Sequence, residues 1–136
     1  MRHRFSILLA VFVLTTSTQA CVFGGALSLD HARMSFDQDG RKVTTSYVAI
    51  DPFYAVADLK NAPIGTKVDA RWIFVDVLGK DINSVFKEQN FITEAESYSG
   101  IVYFNLVTDS SWPAGSYKVE LYLNGALAQT LAFSVQ

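Results

Sequence analysis

The chain has one cysteine, Cys21, in 136 residues, so an internal disulfide is excluded. Histidine is almost as scarce, with only His3 and His31 present. A usual zinc site draws its ligands from cysteine and histidine, and a mature chain left with His31 alone lacks them. The carboxylates Asp51, Asp58, Asp76 and Asp81 have no spacing diagnostic of a hard cation. Basic runs are missing, the longest being Arg41-Lys42. Sequence-independent nucleic-acid binding needs clustered cations to displace counterions, so it is excluded. No apolar run approaches the roughly twenty residues of a membrane-spanning helix. A Gly-x-Ser-x-Gly elbow and a phosphate loop are absent. Glu94 and Glu96 sit two apart in a polar segment, whereas glycosidase carboxylates converge from separated segments. The expectation is a non-enzyme, with no cofactor and no metal.

Asp37-Gln38-Asp39-Gly40 invites a calcium-loop reading. With Gly40 at the sixth loop position, the twelfth is Ser46, where a bidentate glutamate is required. The segment reads instead as a turn between strands.

What is present begins with a leader. Arg2 and Arg4 precede the apolar run Phe5 to Leu14, and small and polar residues lead to Ala20-Cys21. A charged region, a short apolar region and a small-residue cleavage site make a secretory signal over residues 1–20. Of the 11 Lys/Arg, two lie in that leader, which leaves nine against 13 Asp/Glu and a formal charge of −4.

Ser17-Thr18-Gln19-Ala20-Cys21 resembles the lipobox of bacterial lipoproteins, with Thr18 where leucine is favoured. The resemblance implies lipidation of the Cys21 sulfur and a membrane anchor of more than one chain, with residues 21–26 as a short tether. Val22 follows the cysteine where an aspartate favours inner-membrane retention, which implies the outer membrane. Thr18 and Ala20 also suit an ordinary signal peptidase, which would leave the protein periplasmic or secreted.

From Leu27 to Gln136 the pattern is β. Branched and aromatic residues gather in short runs between turn residues. Leu27 to Phe36, Lys42 to Ile50, Phe53 to Leu59, Thr66 to Leu78, Ile101 to Val107, Ser116 to Leu123 and Ala126 to Val135 read as strands. Asp81 to Phe91 is open between a helical turn and an irregular edge strand. Asn124-Gly125 marks a hairpin. Seven or eight short strands without amphipathic helices between them predict an antiparallel two-sheet sandwich.

Trp112-Pro113-Ala114-Gly115-Ser116-Tyr117-Lys118-Val119 resembles the Pro-x-Gly-x-Tyr-x-Val entry to the penultimate strand of immunoglobulin-like modules in bacterial envelope proteins. Trp72 resembles the buried tryptophan of that fold. The cysteine pair of antibody domains is absent.

Phe53, Trp72, Phe74, Phe104, Tyr117 and Phe133 fall at core parity. Trp112, Tyr98, Tyr103 and Tyr122 fall in loops or at outward parity and are the candidate binding residues. Trp112 is open between a contact residue and a cap on the sandwich. Two roles follow: binding or assembly with another envelope protein through a sheet edge or the Trp112 loop, or stacking of Trp112, Tyr98 and Tyr122 on a glycan.

Overall fold

The computed structural model describes residues 25–136. The expected leader, Cys21 and the start of the tether lie outside the described residues. Eight strands follow in chain order: β1 Ser28–Ser35, β2 Ser46–Tyr47, β3 Phe53–Pro63, β4 Lys67–Val77, β5 Ser84–Ile92, β6 Ser97–Leu106, β7 Gly115–Leu123 and β8 Ala126–Val135. They form a three-stranded sheet, β1-β3-β6, and a five-stranded sheet, β2-β8-β7-β4-β5. The fold is an immunoglobulin-like β-sandwich.

Strand alternation builds the core. Val68, Ala70 and Trp72 on β4, Tyr117, Val119 and Leu121 on β7, and Phe53, Ala55 and Ala57 on β3 are buried between the sheets. Phe53 joins the aromatic groups: its ring lies 4.7 Å from Trp112, 4.9 Å from Phe133 and 6.4 Å from Trp72. Val56 is also fully buried, although it points to the outer face of β3. Arg33 and Tyr103 flank it in the register on that face.

Two expectations need correction. Lys42 to Ile50 is not one strand; it contributes a bridge at Val43 and the two residues of β2. Side chains compete with the ladder there: Ser46 N–H donates to Thr44 Oγ1, and Val48 N–H donates to Asp51 Oδ2. The short β2 pairs parallel with β8, so the sheets are not purely antiparallel. Leu127 is exposed, because a bulge between Leu121 and Tyr122 sets it opposite Tyr122 on the outer face.

The open segment Asp81 to Phe91 resolves as a turn followed by β5. Asn83 adopts a positive φ just before the strand, and a bulge at Trp72/Ile73 absorbs Phe86. Asn124 (φ 48°) and Gly125 (φ 85°) make the expected β7–β8 hairpin.

The strands run between two ends. One end carries residues 25–27 and the connections 64–66, 93–96 and 124–125. The other carries the connections 36–52, 78–83 and 107–114.

Candidate functional site

β5 and β6 are the outer strands of their sheets on the same flank of the sandwich. Their open edges face each other across the gap between the layers. Gln89 bridges that gap: Trp72 Nε1–H donates to Gln89 Oε1 at 2.9 Å, and Gln89 Nε2–H donates to the Asn105 carbonyl at 3.0 Å. A buried indole N–H needs an acceptor, and here the Gln89 side chain supplies it. This bridge divides the flank into two grooves.

The groove beside Trp112 has a volume of about 360 Å³ and is lined by Phe86, Lys87, Gln89, Leu106, Val107 and Trp112, with Asn105 at its floor. Phe86 stacks on Phe74 at 4.1 Å and lies 6.4 Å from Trp112. Val107 is exposed at the rim. The second groove, of about 510 Å³, lies at the other end and is lined in part by Phe91, Thr93 and Tyr98.

Trp112 is half-buried and closes its end of the sandwich. Its backbone N–H donates to the Ala49 carbonyl at 2.7 Å and its indole N–H to the Asp51 carbonyl at 3.1 Å. One face of the ring covers Phe53, as the cap reading expects, and another part lines the groove. Trp112→Ala is expected to cost about 2 kcal/mol, below the usual range for a fully buried tryptophan. In a domain this size that lowers Tm by roughly 10 °C. An unchanged melting curve would show that the ring does not cap the core.

The other candidates are dispersed. Tyr98 lies in the second groove, 5.6 Å from Phe91, with its hydroxyl donating to the Ile101 carbonyl. Tyr122 is on the outer face of the five-stranded sheet, under the Arg71 guanidinium at 4.8 Å, and Arg71 pairs with Glu88 at 3.1 Å. Tyr103 is on the outer face of the other sheet, 6.2 Å from Tyr54. Trp112 and Tyr98 share a flank at opposite ends, and the four rings do not form one strip.

Phe86, Gln89, Asn105 and Val107 were not singled out from the sequence. The groove exists only because edges from different sheets meet, and β5 sits in the segment whose pattern was ambiguous. The bulge at Phe86 is the one local cause, and it leaves no composition signal.

The perturbed ionisable groups belong to the fold rather than to this flank. Burial pushes the Tyr47 and Tyr117 phenols up; the Tyr47 hydroxyl donates to the Ser35 carbonyl at 2.8 Å. Asp37 is held below the usual carboxylate range by the Ser35 hydroxyl and then by the Lys42 N–H, which fixes the turn at Gly40. Among the described residues no cluster of three His, Cys, Asp or Glu side chains is placed to hold a metal. The flank offers apolar walls, a few hydrogen-bonding groups and open strand edges, which is the equipment of recognition.

No protein-family model matches the chain, and no curated protein matches it in sequence. Its fold is similar to part of the alkylpurine DNA glycosylase AlkC of Pseudomonas fluorescens, at 16% identity and a TM-score of 0.54 over 81% of this chain. It is similar to part of a β-glucosidase from Listeria innocua, at 9% identity and a TM-score of 0.50 over 83% of this chain. The chain spans 30% of the length of the first and 16% of the second. At these identities the likeness is one of fold.

Proposed function

We propose that this protein is an exported envelope lipoprotein, anchored through Cys21, whose sandwich binds another envelope protein without catalysing a reaction. The observation that carries the binding role is the Trp112 groove, set between two strand edges that no other strand among the described residues covers. An edge supplies unpaired backbone donors and acceptors, and a neighbouring apolar groove takes side chains; together they suit an extended segment of a partner. The lipobox-like run Ser17 to Cys21 supports the anchor.

The dispersal of Trp112, Tyr98, Tyr103 and Tyr122 favours this reading over glycan binding, because a sugar platform needs coplanar exposed rings. Two experiments test it. Cys21→Ser is expected to move the protein from the membrane pellet to the soluble fraction; retention of the variant in the pellet would sink the anchor. A crosslinked pull-down of the tagged full chain from its native envelope is expected to give one dominant protein. No enriched protein, with retention on a glycan array, would replace the proposal by the sugar reading.

A further inference from the structure

Large apolar side chains are exposed unevenly along the sandwich. The connections at the Trp112 end present Val48 (52% exposed), Ile50 (74%), Leu78 (97%), Ile82 (74%) and Val107 (68%). Among the described residues the connections at the other end present only Ile64, with Ile92 and Leu127 exposed on the adjoining strand ends. Scattered surface leucines need no explanation, but aliphatic tips gathered on three loops around one tryptophan do. The loops are held together: both hydrogen bonds of Trp112 fasten the 107–114 connection to the 48–52 turn. The 78–83 connection is fixed at its start by Lys80 N–H to the Val77 carbonyl, with the Lys80 ammonium 5.5 Å over Phe74.

Acidic residues outnumber basic ones on this tip. Asp51, Asp81 and Asp109 stand in the 48–52, 78–83 and 107–114 segments against Lys80, and the rest of the 36–52 connection adds Asp37 and Asp39 against Arg41 and Lys42. Asp81 and Asp109 are exposed. An acidic rim around aliphatic tips repels an anionic lipid surface and a second copy of itself, and it attracts a cationic rim.

The chain's entry point sets which way the tip faces. Gly25 packs beside Asn61, and the Asn61 amide donates to the Ala26 carbonyl, so the described chain begins at the opposite end. Gly25 stands four positions after Cys21, a reach of at most about 14 Å. Strands of this length span roughly 33 Å. A bilayer holding Cys21 therefore lies against the Ile64 end.

We infer that the Val48–Ile50, Leu78–Ile82 and Val107 loops form a membrane-distal docking tip for a protein with an apolar recess rimmed by Lys or Arg. The inference rests on the anchored-module reading above and names the surface and the partner's chemistry. The tip abuts the Trp112 groove through Val107, so one partner reaches both.

The test places a photoreactive benzophenone side chain at Leu78, or at Ile64 as the comparison, in the full chain in its native envelope. A single protein adduct is expected from position 78 and lipid adducts from position 64. Asp81→Lys with Asp109→Lys is expected to cut the position-78 protein adduct about tenfold or more, since like charges across an interface cost several kcal/mol. These exposed changes are expected to leave the melting curve in place. Lipid adducts at position 78, adducts of the chain with itself, no adduct, or a yield indifferent to charge reversal would each overturn the inference. The membrane pellet reports the anchor separately: a soluble protein that still gives the charge-sensitive adduct refutes the anchor and keeps the tip.

Discussion

Trp72→Ala is expected to remove about 3–5 kcal/mol of stability, the range for truncating a large aromatic in a closed core. Domains of this size hold about 5–15 kcal/mol in total, so the variant is expected to unfold near body temperature or to lose its cooperative transition. Trp72 has no exposed surface. Its ring lies near Phe53 and Phe133, and its N–H holds Gln89. Truncation therefore leaves a cavity and frees the amide that bridges the sheet edges. Trp72→Phe separates these effects: it keeps most of the volume and deletes the donor. We expect Trp72→Phe to cost less than alanine and yet to alter the Trp112 groove, because Gln89 loses one of its two partners. Urea denaturation of both variants checks this; equal stability of Trp72→Ala and the wild type would refute the core assignment.

Gly115→Ala is expected to cost about 3 kcal/mol, combining a strained backbone with a steric overlap. Gly115 has φ 150°, a region side chains avoid. A Cβ there would lie 2.4 Å from the Asp76 carbonyl oxygen and 2.9 Å from Val77 Cγ2. Neither neighbour is a flexible chain end, since Asp76 and Val77 pair with Ser116 and Gly115 across the β4–β7 ladder. The strand start would shift, and with it the Tyr117 hydroxyl bond to the Pro113 carbonyl. Gly125→Ala is the internal comparison. Gly125 also has positive φ, but open space surrounds its Cβ direction, so it is expected to cost about 1 kcal/mol. Equal midpoints for the two variants in urea would show that the contact with β4 carries no weight.

Gly115 also explains the Pro-x-Gly-x-Tyr run. The sequence marked Pro113, Gly115 and Tyr117 by likeness; the structure supplies a reason for each. Pro113 offers the acceptor, Gly115 lets β7 pass β4 closely, and Tyr117 fills the core while its hydroxyl returns to the loop.

Period-two alternation made β3, β4, β6 and β7 legible, because each has one face against the opposing sheet. The β7–β8 hairpin was legible for a local reason: Asn-Gly adopts the two positive-φ positions that the turn requires. The failures were also physical. Between Lys42 and Ile50, branched residues suit a strand, but Thr44 and Asp51 capture backbone N–H groups and leave two paired residues.

The sequence by itself determined the fold class, the core parity of most strands and, with one cysteine, the lack of an internal disulfide. Those properties are set by composition or by neighbours a few residues apart. Only the tertiary structure decided that Trp112 both covers Phe53 and lines a groove, that Gln89 ties β5 to β6, and that the candidate aromatics stand apart. Each of those depends on which strand edges meet across the two sheets, a matter of long-range pairing that local spacing does not encode.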